Sequence, residues 1–183
     1  MLEWFFISFI DIVMNGLHET SQRRNNMQHE HIIGAKQFNR EHLEELFEIA
    51  REMERIVESG GSNRYQNKVM TTLFFEPSTR TRLSFESAMS RLGGKVIGTE
   101  NAAMFSSTIK GETLEDTIRV VSAYSDVIVM RHTEIGAAQR AAKVATVPII
   151  NAGMEQVSIL HKLCWIYTPF KKKLAALMIY ILL

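Results

Sequence analysis

Between Asn39 and Gly153, short apolar runs alternate with segments whose apolar residues recur every three or four positions, and no other feature constrains the fold as much. Leu43, Leu46, Phe47, Ala50, Met53 and Val57 predict an amphipathic helix that starts after an Asn39 cap and ends at Gly60-Gly61. Val69 to Phe75 is too brief for an ordinary helix, is partly β-branched and runs into Pro77, so it predicts a buried strand. A helix starting near Ser78 carries Leu83, Phe85, Met89 and Leu92 and stops at Gly93-Gly94; Lys95 to Thr99 predicts the next strand. After a loop from Glu100 to Gly111 come a helix bearing Leu114, Ile118, Val121 and Tyr124, a strand at Val127 to Met130, a helix at Gly136 to Ala145 and a strand at Val147 to Ile150.

Strands separated by helices imply parallel pairing, because each helix carries the chain back across the sheet before the next strand begins. The expected fold class is α/β: an open parallel sheet with helices on both faces. Ligands of such sheets collect beyond the C-terminal ends of the strands.

Outside this region the pattern lapses. Residues 1–34 combine an apolar opening with a stretch rich in Asn, Gln, Arg and His and are expected to form an irregular extension; the domain is expected over 35–153, with a divergent tail over 154–183. Hydrophobic residues make up 46% of the 183, enough for one core. With 21 basic and 20 acidic side chains the net charge is +1, which gives no broad field for nucleic acid, so anion recognition has to be local. The single cysteine, Cys164, excludes an intrachain disulfide framework. No transmembrane segment is expected: Leu2 to Met14 contains Glu3 and Asp11, and Leu174 to Leu183 is too short. His29-Glu30-His31 is the one close His/Glu cluster and lacks a third ligand, so it reads as a solvated segment and no metal site is expected.

The densest chemistry falls at one strand-to-helix junction, Glu76-Pro77-Ser78-Thr79-Arg80-Thr81-Arg82. Helix N-terminal N–H groups favour an anion, the hydroxyls of Ser78, Thr79 and Thr81 can donate, and guanidinium groups pair bidentately with phosphate. A capping cluster with arginines on a solvated face is the alternative for an arbitrary Ser/Thr-Arg pair. Three hydroxyls and two arginines within Ser78 to Arg82 favour the phosphate.

The segment FFEPSTRTRLSFESAMSRLGG closely resembles the carbamoyl-phosphate loop and following helix of the aspartate and ornithine carbamoyltransferases. FSSTIKGETLEDT, DVIVMRH and VPIINAG resemble further segments of that family, the first two closer to its aspartate branch, over roughly Ala35 to Gly153. The resemblance implies that Ser78, Thr79, Arg80 and Thr81 cradle the phosphate, and that Arg131 reaches the phosphate and the carbonyl oxygen. Arg80, Thr81 and Arg131 are then the expected catalytic residues. It further implies a homotrimer in which Ser106 and Lys110 act in trans, although a lysine on a Gly-flanked loop is ordinarily a solvent-exposed charge. Glu76 matches a family residue that pairs with arginines during domain closure and is left out of the catalytic set.

The implied reaction joins carbamoyl phosphate and L-aspartate into N-carbamoyl-L-aspartate and phosphate, a step of pyrimidine synthesis, with no metal or organic cofactor. Plant-type wording implies a chloroplast location; cytoplasm is the alternative, since Met1 to Met14 shows no transit pattern. After Asn151-Ala152-Gly153 the sequence departs from the family: MEQVSILHKLCWIYTP stands where an HPTQ-like motif is expected, and His161 is not assigned the role of its histidine. The chain is therefore expected to be truncated, lacking the aspartate-binding domain, so that L-aspartate is a partner only if a second domain is supplied. A noncatalytic carbamoyl-phosphate-binding and assembly fragment is one alternative, and ornithine specificity another.

Overall fold

The computed structural model describes residues 2–15, 31–100 and 111–153. In chain order these form α1 (Leu2–Asn15), a 3-10 turn (Ala35–Gln37), α2 (Arg40–Glu58), β1 (Val69–Phe74), α3 (Thr79–Arg91), β2 (Lys95–Glu100), α4 (Leu114–Ser122), β3 (Val127–Arg131), α5 (Ala137–Val144) and β4 (Ile149–Asn151). Asn39 caps α2, its side chain accepting the His42 N–H at 2.8 Å, and Thr113 caps α4 by accepting the Asp116 N–H at 3.2 Å. Gly93 closes α3 in the left-handed conformation (φ 80°) that a β-carbon disfavours, and its N–H donates to Ser90 O at 3.0 Å.

The four strands are parallel in the order β2-β1-β3-β4. Alternating side chains divide the core in two, as a twofold strand period requires. Met70, Phe74, Val127, Val129 and Ile150 face one cluster with Leu46 and Met53 of α2 and Phe85, Ala88 and Met89 of α3. Leu73, Ile128, Met130 and Ile149 face the other, with Leu114 and Ile118 of α4 and Ala137, Ala138 and Ala141 of α5. Helices therefore cover both faces, in agreement with the predicted α/β sheet.

The chain runs from β1 out to β2, then returns past β1 to form β3 on its other side. Successive connections part at β1 and β3, and a reversal of this kind opens a crevice at the C-terminal edge of the sheet.

The opening of the chain differs from expectation. Residues 2–15, assigned to an irregular extension, form α1, which packs against α2 and α3 and reaches β3. Ile7, Ser8, Ile10, Asp11, Ile12, Val13 and Met14 are all buried. At about 100° per residue these positions surround the helix axis, so this stretch of helix shows no amphipathic stripe to detect. The end of the expected extension also joins the sheet: Ile32 bridges Ile150 in parallel, its N–H donating to Ile149 O at 2.8 Å. Two residues assigned to apolar helix faces sit outside the core. Leu83 is exposed, and Tyr124 is exposed beyond the end of α4.

Candidate functional site

β1 delivers the chain through Phe75, Glu76 and Pro77 to Ser78, which occupies the N-cap position of α3, with Thr79, Arg80 and Thr81 in its first turn. Ser78 does not cap the helix with its side chain; its hydroxyl donates to Thr81 Oγ1 at 3.0 Å instead. The first-turn N–H groups of a helix have no intrahelical acceptor, and here Ser78 Oγ caps none of them, so this helix end presents backbone donors of the kind that favour an anion. Farther along the helix, Arg82 is 3.8 Å from Glu86, which accepts the Thr72 hydroxyl at 2.9 Å. That arrangement turns Arg82 toward the sheet, while Arg80 is exposed beside the junction.

Register brings Arg131 to the same end of the sheet. It pairs with Phe74 across the β1–β3 ladder, and its carbonyl accepts the Phe75 N–H at 2.8 Å. The Arg131 side chain, 15% exposed, donates through Nε to Glu76 Oε2 at 3.2 Å and through a terminal nitrogen to Ala152 O at 3.4 Å. Strands β1, β3 and the end of β4 thus all contribute to the setting of one guanidinium. Glu76, outside the expected catalytic set, lies in direct contact with Arg131, an expected catalytic residue. Ser106 and Lys110 lie outside the described residues.

A cleft of about 290 Å³ adjoins this edge, lined among others by Glu76, His132, Glu134, Gly136, Asn151 and Gly153. Asn151 braces its floor: the amide donates to Ile33 O at 3.0 Å, and the side-chain oxygen accepts the Gly153 N–H at 2.9 Å. His132 follows Arg131 directly and packs on Phe75, with ring centroids 4.7 Å apart. Its Nδ1 accepts the Glu134 N–H at 2.9 Å, which places the proton of the neutral ring on Nε2. Burial lowers the His132 pKa; nearby Glu134 opposes this and Arg140 adds to it. A neutral donor therefore borders the cleft at physiological pH. The sequence signal for it was available in the polar residue next to Arg131 at a strand end.

The arrangement suits an anion: helix N–H groups and hydroxyls lie at the β1–α3 junction, and a guanidinium lies at the switch between strands. Among the described residues no group of three or more His, Cys, Asp or Glu side chains is placed to hold a metal ion. Likewise, no described helix is long and apolar enough to cross a membrane.

Residues 30–158 match the family model for the carbamoyl-P binding domain of aspartate/ornithine carbamoyltransferase. The chain belongs to this family, and its described sheet is the fold of that domain. Within the family it is similar to the chloroplastic aspartate carbamoyltransferase 1 of Pisum sativum, at 63% identity over 123 residues, covering 67% of this chain and 32% of the pea protein. Among solved structures, the catalytic subunit of M. jannaschii aspartate transcarbamoylase matches with a TM-score of 0.70 and 43% identity, covering 79% of this chain and 47% of that one. Aspartate transcarbamoylase from Trypanosoma cruzi in complex with carbamoyl phosphate and aspartate matches with a TM-score of 0.66 and 43% identity, covering 73% of this chain and 46% of that one. The chain thus spans about a third of the length of its pea relative.

Proposed function

We propose that this chain binds carbamoyl phosphate at the β1–α3 junction and, in a site completed by a second-substrate domain, transfers the carbamoyl group to L-aspartate. The observation that carries the reading is the convergence of Ser78–Thr81, at an α3 N-terminus that Ser78 does not cap with its side chain, with Arg131 at the end of the neighbouring strand. Ser78, Thr79, Thr81 and the first-turn N–H groups hold the phosphate, and Arg80 supplies the positive charge. Arg131 exchanges Glu76 for the carbonyl oxygen of the ligand.

In the reaction the neutral α-amino group of aspartate attacks the carbamoyl carbon, and a C–N bond forms. Arg131, with Thr81 beside the bridging region, stabilises negative charge on the tetrahedral carbonyl oxygen; the bond from carbon to the phosphate oxygen then breaks. The amine proton leaves with the phosphate, giving N-carbamoyl-L-aspartate and inorganic phosphate. Holding two anionic substrates side by side supplies much of the rate, because it removes the entropy of their encounter.

Ser106 and Lys110 complete the phosphate site of a neighbouring copy in a homotrimer. The reaction serves pyrimidine synthesis, and the chloroplastic pea relative supports a chloroplast location. A second reading keeps to the matched domain: it binds carbamoyl phosphate and assembles with other members of the family without turning over by itself.

Incubating the purified full chain with carbamoyl phosphate and L-aspartate separates the two. Formation of N-carbamoyl-L-aspartate establishes transfer by the chain itself, whereas saturable carbamoyl-phosphate binding without product supports the binding and assembly reading. Absence of both overturns the function proposed.

A further inference from the structure

Helix α1 lies outside the residues that match the family domain, yet it is built into that domain's core. Its described side chains are enclosed on every side, with Ile7, Ile10 and Met14 in the cluster that also holds Leu46 and Met53 of α2 and Phe85 and Met89 of α3. Apolar contact of this kind is non-directional and would accept many helices in many registers. A buried charge restricts the register. Asp11, 3% exposed, accepts hydrogen bonds from Arg64 at 2.7 Å and from the Tyr65 hydroxyl at 2.7 Å. Arg64 also reaches Glu52 of α2 at 2.8 Å, so one guanidinium ties α1 to α2 through the segment that precedes β1.

We infer that the family domain of this chain carries a seat for an apolar helix with a carboxylate at one buried position, formed by α2, α3 and the Arg64–Tyr65 pair, and that Leu2–Asn15, with Asp11 at that position, is its occupant. The carboxylate has a defined place because the seat's polar groups need it: without Asp11, the buried Tyr65 hydroxyl loses the acceptor it faces, and Arg64 loses one of its two carboxylate partners. A helix with the carboxylate one residue earlier or later turns it by about 100° away from the pair. The seat therefore discriminates by charge and position, while its apolar walls supply the adhesion.

The experiment starts from the folded full chain, with a protease recognition sequence placed within residues 16–30. After cleavage, gel filtration and urea unfolding follow the two pieces, and a labelled peptide of residues 2–15 with a lysine tail is then offered in excess. The N-terminal piece is expected to stay bound, or, if it is lost, the remaining chain is expected to collapse. The labelled peptide is expected to exchange into the seat, and its Asp11→Lys form to bind at least about tenfold more weakly. In the uncleaved chain, Arg64→Met is expected to raise hydrogen exchange in residues 2–15. Release of the N-terminal piece with an unchanged urea midpoint would overturn the seat. Equal binding of the two peptides, or unchanged exchange in Arg64→Met, would overturn the role of the carboxylate lock.

Discussion

Arg131 and Glu76 face each other at 3.2 Å across the C-terminal edges of two adjacent parallel strands, and this ion pair sits where the carbamoyl-phosphate site is proposed. Glu76 holds the guanidinium in place, yet its negative charge opposes an incoming phosphate. With Glu76 37% exposed at its side chain, solvent and salt weaken that opposition without removing it. Glu76→Gln is therefore expected to tighten binding of a phosphonate analogue by roughly 1 kcal/mol, or about fivefold, at low salt. Titration calorimetry at two ionic strengths checks this, and the gain is expected to shrink at high salt.

Arg80 stands in the first turn of α3 and is exposed, so its replacement removes charge from the site without opening the core. Arg80→Ala is expected to weaken phosphonate binding by about 1.5–3 kcal/mol, tenfold or more, and to leave the urea midpoint nearly unchanged. Calorimetry combined with urea unfolding measures both quantities on the same preparation. Unchanged affinity would remove Arg80 from the site.

His132 predicts a pH dependence of stability. Burial holds its pKa below the ordinary histidine value, so the folded protein binds that proton less readily than the unfolded chain does. The stabilising contribution is complete above about pH 6.5 and is lost as the pH falls from there through the depressed value. His132→Gln, which does not titrate, is expected to lose less stability than the wild type between about pH 7.5 and about pH 5. Urea midpoints at the two pH values provide the comparison, and equal losses would count against this cause.

Gly93 predicts a stability effect with a separate origin. Its φ is 80°, and a β-carbon added there would lie 2.7 Å from Ser62 O and 2.8 Å from Asn63 Cα, so an alanine is both strained and crowded by backbone. Gly93→Ala is expected to cost about 1–3 kcal/mol. Urea unfolding checks the value, and phosphonate affinity measured below the transition is expected to stay unchanged.

The alternation of apolar runs and helical periods made β1, β2, β3 and their crossover helices legible, because each pattern reflects burial on a sheet between two helix layers. The β1–α3 junction, where the phosphate site is proposed, stood out for a different reason: Ser78 to Arg82 concentrates donors where topology places a helix N-terminus. Helix α1 escaped the same reasoning, since enclosure on all sides erases the periodic contrast that marks an amphipathic helix. The Arg131–Glu76 contact depends on the β1–β3 register, which joins residues 55 positions apart and leaves no local trace. The brace at Asn151 is likewise a long-range relation, with Ile33 supplying the acceptor.

Ser78–Thr81 and Arg131 are proposed to form one carbamoyl-phosphate site, and calorimetric titration of the full chain with carbamoyl phosphate measures whether they do. Saturable binding to one site per chain is expected, weakened by Arg80→Ala and abolished by Arg80→Ala/Arg131→Ala, with the helical circular dichroism of both variants retained. Binding of equal strength in the wild type and the folded double variant, or no binding to the folded wild type, would contradict it.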